Sequence, residues 1–437
     1  MKDEKVKIAI VGFGTVGSGV ARIILENAAE ISRKTGLKLE LAHVVDTDLN
    51  SPRPVKLPAG LLHSDLDKVL KDQEVQIAVE LVGGTGVAGD IQKKLLQAGK
   101  NVVTANKALL AERGEEIYEV ARSHNRCLAF EASCCGGIPL IGAIRTGLTA
   151  NNIDALFGIV NGTCNYIFTE MSNKGKEYKV ALKEAQVAGF AEADPTLDVN
   201  GADSAHKLAI LSLLAFGQKI NYSDISTKGI ENIKLSDIRY GREMGYAMKL
   251  LAIAERTDKG ISMRVHPSFI NEQEPLAQAA GAFNAVSIFG NAVGHTSYYG
   301  PGAGMMPTAS AVVADIIEVA RGNAARIFSS TPGLGRLAEP ATICPPDEIK
   351  SKFYLRLMVV DQPGVFARIA QVLGDRRISI SACLQHESES AEKVPVVIMT
   401  HLARQGDMDQ ALQDIIKLKV VKDKPVCIHV VTPPQEG

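Results

Sequence analysis

The stretch that most constrains this chain stands near its start: "KIAIVGFGTVGSGVARIIL", residues 7–25. An apolar run of strand character breaks into glycines and resumes as an amphipathic helix. Gly12, Gly14 and Gly17 keep the G-x-G-x-x-G spacing, with Phe13, Thr15 and Val16 between them. Alone that spacing says little, but between a strand and a helix it is the dinucleotide-binding fingerprint. Gly12 permits the tight turn, Gly14 lets backbone approach a pyrophosphate, and Gly17 lets helix and strand pack closely. The helix N-terminus then favours negative charge. The alternative is a glycine turn that holds no ligand, and the βαβ setting argues against it. The next strand ends "HVVDTD", which makes Asp46 the candidate for ribose hydroxyls. It lies beyond the usual spacing of about 20 residues because the intervening segment is long. Asp46 favours NAD, whereas Arg53 nearby suits a 2′-phosphate, so the choice between NAD and NADP stays open.

Strand-like runs KIAIV, LAHVV, IAVELV, NVVTA and CLAFEA alternate with helical stretches DIQKKLLQAG and GEEIYEVARSH through the first 150 residues. Such alternation implies a doubly wound α/β sheet, a Rossmann-type domain over 1–150. From 151 to 304 the pattern changes. Helices around 177–189, 203–216 and 236–256 mix with strands ISMRV and AVSIFG, as in an α+β substrate and dimerisation domain. Thr308 can cap a helix over "PTASAVVADIIEVARG", and 305–330 is long enough to return to the first domain. Residues 331–352 carry Pro332, Pro340, Pro345 and Pro346 and read as a linker. Beyond it, 353–437 follow the order β-α-β-β-α-β, a ferredoxin-like unit.

A chain of 437 residues fits two or three domains. A formal net charge of −1 offers no basic surface for nucleic acid, and no apolar run reaches the roughly 18 residues of a membrane span. The opening "MKDEKVKIAIVGFG" enters a strand at once, leaving no room for a signal peptide. Seven cysteines without regular spacing fit reduced thiols better than a disulfide framework, so a cytoplasmic protein is expected.

The chemistry-bearing stretch is "GFAEADPTLDVNGADSAHKLAIL", residues 189–211, with Glu192, Asp194, Asp198 and Asp203 leading into a helix that carries Lys207. At 3.6 residues per turn, Asp203, Ile210, Leu211 and Leu214 surround Lys207, with Leu208 and Leu213 on the flanks. A helix apolar nearly all round is buried, and lysine is almost never fully buried unless paired. A snorkelling ammonium is the bland account. Asp203 one turn earlier, with three acids upstream, points instead to a site. The acids do not follow the D-x-[DN]-x-[DN]-G calcium pattern.

That stretch resembles the signature of homoserine dehydrogenases. "VTANKALL", "FEASCCGGIP", "GIVNGTCNYI" and "YYGPGAGMMPTASAVVAD" resemble other blocks of that family, in its order. The "DQPGVFARIAQVL" turn and the tail's element order resemble an ACT domain, and nothing resembling an aspartate kinase precedes the match, as in monofunctional forms. The resemblance implies reversible oxidation of L-homoserine to L-aspartate 4-semialdehyde with NAD or NADP, on the route to threonine, methionine and isoleucine. It makes Lys207 the proton-transfer residue and Glu192 the holder of the substrate amino group, with Asp203 and Asp198 orienting or supporting. Mutual hydrogen bonds that pin the loop are the alternative for these acids, and for Asp194 the preferred one. Lys107, after a strand's carboxyl end, falls in the catalytic and cofactor neighbourhood, joined there by Thr85 and Gly302. Gly162 and Thr163 open a helix and could offer amides to the substrate carboxylate.

"EASCCGGIP" corresponds to the family's sodium loop, with Glu131 and carbonyls at Cys134, Gly136 and Ile138. Hard cations take oxygen ligands, which carbonyls supply whatever the side chain. Adjacent cysteines fit zinc poorly. The resemblance also implies a homodimer or homotetramer and an amino-acid effector, threonine, at the ACT domain. Two rivals remain: an aldehyde dehydrogenase acting through the thiolate of Cys134, Cys135 or Cys164, and a non-catalytic amino-acid sensor.

Overall fold

The computed structural model describes residues 4–386 and 393–434. Residues 1–3 of the expected nucleotide domain, with 387–392 and 435–437 of the expected ACT domain, lie outside the described residues. The chain packs into two units: Met1–Ile153 with Asp203–Ser223 and Gly290–Ala341, and Asp154–Ala202 with Asp224–Phe289 and Thr342–Gly437.

In the first unit, β1 (Glu4–Val11), β2 (Leu37–Val45), β3 (Leu62–His63), β4 (Val75–Glu80), β5 (Asn101–Thr104) and β6 (Leu128–Ala129) form one parallel sheet. Their order is β3-β2-β1-β4-β5-β6, the doubly wound arrangement expected. Ile8, Ala9 and Ile10 are buried in succession because helices cover both faces of such a sheet. The helix Met305–Ala320 belongs to this unit. It lies against the helix Thr15–Glu26 so closely that a Cβ on Gly19 would fall 2.9 Å from Met305 O. It begins earlier than expected. Gly304, at φ +122°, is the N-cap, and Thr308 is buried inside the first turn.

The expected substrate domain over 151–304 divides differently. The helix Ala202–Phe216, apolar all round, needs cover on every side, and Asp203–Ser223 packs with the nucleotide sheet's unit. β12 (Gly294–Pro301), which follows β7 (Ile153–Ile159), β8 (Ser226–Thr227), β9 (Tyr246–Thr257), β10 (Gly260–Asn271) and β11 (Phe283–Gly290), also belongs there. The helix expected over 236–256 is two elements. Leu235–Glu243 is helical, Gly245 turns at φ +84°, and β9 then pairs antiparallel with β10 along its whole length. "YAMKLLAIA" is an apolar run whose periodicity does not separate strand from helix, and the long partner strand decides it.

In the second unit the tail has the expected ferredoxin-like fold: β13 (Lys350–Val359), helix Val365–Asp375, β14 (Ile380–Leu384), β15 (Val394–Thr400), β16 (Ala403–Arg404), helix Gln405–Ile416 and β17 (Val426–Val431). Its core gathers Phe353, Leu355, Leu357, Ile369, Leu373, Ile398 and Ile415. It is not set apart by a linker. β17 pairs with β13 on one side and runs parallel to β10 on the other, so the sheet continues β11-β7-β9-β10-β17-β13-β15-β14. Residues 331–352 are tied down as well. Lys219 N–H donates to Glu339 O and Ala341 N–H to Lys219 O, Ile261 N–H donates to Thr342 O, and β13 has begun by Lys350. No described helix is long and apolar enough to cross a membrane.

Candidate functional site

At the end of β1 the three glycines have separate physical duties. Gly12 stands at φ +100°, and a Cβ there would lie 2.6 Å from the Leu81 carbonyl carbon. A Cβ on Gly17 would lie 2.2 Å from Gly12 O, so the helix is pressed onto the turn. Around Gly14 the space is open, and as N-cap it offers no side chain to the first-turn amides. Uncapped amides beside open space suit the pyrophosphate of a dinucleotide. Asp46 and Arg53 converge on Phe13. Asp46 accepts from the Phe13 N–H (2.5 Å) and the Asp48 N–H (2.8 Å). Arg53 Nε donates to Phe13 O (2.6 Å), and its guanidinium stands 5.8 Å from the Phe13 ring. Thr85 lies in the loop after β4, where its carbonyl accepts from Arg113. Thr15 and Val16 open the helix itself.

Sequence reasoning passed over Glu80. It ends β4 fully buried and accepts from Val82 N–H (2.7 Å), Gln92 Nε2 (2.6 Å) and Thr104 Oγ1 (2.9 Å). An acid closing an apolar strand beside the glycine turn was the available signal.

Lys207 sits among buried neighbours with 8 % of its surface exposed, and its Nζ donates to Asp203 Oδ2 at 2.8 Å. It is paired rather than snorkelling. Lys107, at the first position of the helix Lys107–Ser123, reaches the other carboxylate oxygen, Asp203 Oδ1, also at 2.8 Å. One buried aspartate thus joins two lysines that stand far apart in sequence. Burial acts to lower the Lys207 pKa, but the Asp203 carboxylate wins and holds it above the usual lysine value. Burial likewise opposes ionisation of Asp203, yet Lys207 and Lys107 keep its carboxyl well below the usual range. His206, which was not singled out, makes a second tie between the same helices. Its Nε2 lies 3.0 Å from Glu112, and its ring stacks on Tyr222 at 4.5 Å. The anionic Glu112, five positions after Lys107, was the only sequence cue.

Cys134 and Cys135 are buried in the same unit. Burial pushes both thiols up, Cys135 to about 12, so neither is a thiolate nucleophile at neutral pH. In the loop expected to hold a cation, Glu131 accepts from Ile141 N–H (2.8 Å) and Gly142 N–H (2.6 Å), and burial raises its pKa. The loop turns through Cys135 and Gly136 at φ +55° and +44°. A Cβ on Gly136 would lie 2.6 Å from Gly302 O, so two of the expected glycines are back to back. Ile138 O accepts from Leu140 N–H at 2.7 Å. Among the described residues no three His, Cys, Asp or Glu side chains gather to hold a metal. The oxygens here are one carboxylate and main-chain carbonyls, a donor type suited to a hard monovalent ion.

The second unit holds the other expected residues. Asp198 accepts from Asn161 Nδ2 (2.8 Å) and lies 3.1 Å from Thr163 Oγ1, which donates to Phe190 O. Cys164 Sγ is 3.2 Å from Asp198 O, a packed and buried thiol. Asn161 caps the helix Gly162–Lys174 through the Cys164 N–H, and a Cβ on Gly162 would lie 2.7 Å from Ala282 O. Asp194 accepts from Thr196 N–H (3.1 Å) and Thr196 Oγ1 (2.5 Å) rather than bonding to the other acids. Glu192 is exposed.

Three family models match: homoserine dehydrogenase, NAD binding domain, over residues 12–131, homoserine dehydrogenase over 139–317, and ACT domain over 353–420. A homoserine dehydrogenase of Neisseria gonorrhoeae is 42 % identical over 97 % of this chain and 98 % of its own. A crystal structure of a homoserine dehydrogenase from Thiobacillus denitrificans superposes with a TM-score of 0.91, at 41 % identity and 98 % coverage of both chains. A hyperthermophilic archaeal homoserine dehydrogenase in complex with NADPH covers 72 % of this chain and 98 % of its own, with a TM-score of 0.60 and 28 % identity.

Proposed function

The chain belongs to the homoserine dehydrogenase family, an NAD(P)-dependent oxidoreductase with a C-terminal ACT domain, and on that premise we propose how its residues divide the work. The reaction converts L-homoserine and NAD(P)+ into L-aspartate 4-semialdehyde, NAD(P)H and a proton. The nicotinamide, when bound, supplies or accepts the hydride. Lys207 moves the proton. On reduction its ammonium gives a proton to the oxygen of the former aldehyde; on oxidation its neutral amine takes the hydroxyl proton. The observation that carries this assignment is the buried Lys107–Asp203–Lys207 chain, with 2.8 Å at each link. Asp203 keeps Lys207 protonated, ready to donate, and Lys107, half exposed, supplies the second charge that keeps Asp203 ionised.

Glu192 takes the substrate ammonium. Asp198 braces the helix opened by Gly162 and Thr163, whose amides serve the substrate carboxylate. Gly12 to Gly17, with Thr85 and Gly302, hold the cofactor. Asp46 and Arg53 decide between NAD and NADP, and the anchoring of Arg53 on Phe13 favours a 2′-phosphate beside a fixed guanidinium. Sodium bound by Glu131 and the carbonyls of Cys134, Gly136 and Ile138 would offset the burial that raises the Glu131 pKa. The chain works as a homo-oligomer in the cytoplasm, on the route to threonine and methionine, and threonine acts at the ACT domain. L-homoserine oxidation with NAD+ and NADP+ in turn, followed by absorbance of the reduced nicotinamide, tests the reading. Turnover with neither cofactor would sink it, and activity unchanged when potassium replaces sodium would remove the cation assignment.

A further inference from the structure

Lys249 is one of three buried lysines among the described residues, with Lys100 and Lys207, and nothing in the reaction uses it. It stands on β9 with 6 % of its surface exposed. Its Nζ donates to Asn165 Oδ1 at 3.1 Å and to Ala279 O at 2.5 Å. Both acceptors are neutral. No carboxylate offsets the burial, which pushes the amine down to about 8. An ammonium has three donors and these bonds engage two. A buried cation without a counter-charge is costly, and structures normally keep one only where it is paired or used.

Lys249 is among the residues that line a cavity of about 310 Å³ lying wholly within the second unit. That is the lower end of the roughly 300–1,000 Å³ of small-molecule sites. Two further charges line the same space. Arg242, which donates to Ser172 O at 3.2 Å, adds a second cation. Glu272, half-buried, adds one carboxylate. Phe168, Met248 and Ala277 give an apolar wall. Two cations and one acid around a small, partly apolar chamber match a zwitterion with a short side chain.

We infer that this cavity binds a small α-amino acid, its carboxylate on Lys249 and Arg242 and its ammonium on Glu272. The bound carboxylate supplies the counter-charge that Lys249 lacks, so occupancy favours the protonated amine and stiffens the contact between β9 and the helix carrying Asn165. The site is separate from the ACT core and from every residue given a role in the reaction, so it stands or falls independently of that assignment.

Isothermal titration calorimetry of the full chain tests it, with L-valine, L-methionine, acetate and inorganic phosphate as probes. At least one amino acid should bind. Glu272→Gln should weaken that amino acid by about tenfold or more and leave acetate unchanged, because only the ammonium contact is lost. Lys249→Met should abolish both, while Glu192→Gln and Asp203→Asn leave the binding intact. Since Lys249→Met removes a buried group, the half-buried Glu272→Gln variant carries the test if the methionine variant fails to fold. The inference is overturned if no probe binds, if binding survives both cavity substitutions, or if phosphate binds more tightly than every amino acid.

Discussion

Lys207 and Lys249 are both buried lysines on regular elements, yet their surroundings push them in opposite directions. Lys207 faces a carboxylate at 2.8 Å and is held above the ordinary lysine value. Lys249 faces an amide oxygen and a main-chain carbonyl and falls to about 8. Burial has the same sign in both, so the difference lies in the partner: an ionised group outweighs desolvation, and neutral dipoles do not. Burial alone therefore does not identify a reactive lysine. A proton donor for a developing alkoxide gains from the first setting, and a receptor for an anion from the second.

The largest effect should come from breaking the first setting. Lys207→Arg keeps the charge and the bond to Asp203, but a guanidinium is effectively never deprotonated. Turnover should fall by about 10²–10⁴-fold while cofactor binding, read by fluorescence of the reduced nicotinamide, persists. In the parent chain, homoserine oxidation should keep rising into alkaline pH, because Asp203 raises the pKa of the amine that must be neutral. Asp203→Asn should shift that rise to lower pH. Near-parental turnover in the arginine variant would move proton transfer to Lys107.

A charge pair in the second unit extends the comparison to stability. Asp237 is fully buried and takes two bonds from Arg356, at 2.6 and 3.1 Å, and one from Tyr354 Oη at 3.0 Å. Asp237 stands on the helix Leu235–Glu243, while Arg356 and Tyr354 are on β13 of the ACT fold. Arg356→Met leaves a buried carboxylate uncompensated and should cost about 3–5 kcal/mol in urea denaturation. Tyr354→Phe, which leaves the ion pair, should cost about 1 kcal/mol. Removing the tail would take Arg356 and the β17 neighbour of β10 together, so a chain ending near Ser351 should aggregate or unfold rather than persist as a dehydrogenase. A loss under about 1 kcal/mol in Arg356→Met would show that the pair is no more than the sum of neutral contacts.

What the sequence disclosed and withheld follows the range of the interactions. The glycine turn, the Asp203–Lys207 pair one helical turn apart and the ferredoxin-like order are local patterns, and all were legible. Lys107 reaching Asp203, Glu112 reaching His206 and Arg356 reaching Asp237 are pairings between distant segments, which no local periodicity records. The strand Tyr246–Thr257 overlaps the helix expected over 236–256 because its run of apolar residues suits either period, and only its pairing with β10 decides. The tail's attachment through β17 was hidden for the same reason: a parallel neighbour leaves no mark on the strand that receives it.

That attachment carries a pH signature of intermediate size. His266 on β10 and His429 on β17 lie with ring centroids 5.2 Å apart, and their Nδ1 atoms find no partner. Burial first, then His429, Lys228 and Arg264, push His266 down to about 2, and burial with Arg264 and Lys228 pushes His429 to about 3. Ser226 Oγ at 3.0 Å from His266 Nε2 completes the surroundings of that ring. Below pH about 6.5 the unfolded chain binds protons that these folded histidines refuse, so stability should fall as pH drops from there. Denaturation midpoints of the parent and of His266→Gln between pH 7 and 5 check this. A parallel loss in both would remove His266 as the cause.

The smallest effect separates the two lysines by sign. Between about pH 8 and the unfolded lysine value near 10.5, folded Lys249 has released a proton that the unfolded chain still holds. The unfolded state then binds more protons, and this residue makes stability rise with pH by up to ~1.4 kcal/mol per pH unit. Lys207 behaves oppositely. Its raised value means that the folded chain retains a proton that the unfolded chain loses, so its contribution declines as pH climbs above about 10.5. Lys249→Met should leave neutral-pH stability within about 1 kcal/mol of the parent, since replacing a buried charge by an apolar group is often neutral. It should also remove the rise between pH 8 and 10. Only the difference in slope between parent and variant counts, because every other titrating group is common to both. If the two slopes coincide, Lys249 is not the depressed amine, and the contrast with Lys207 loses its second member.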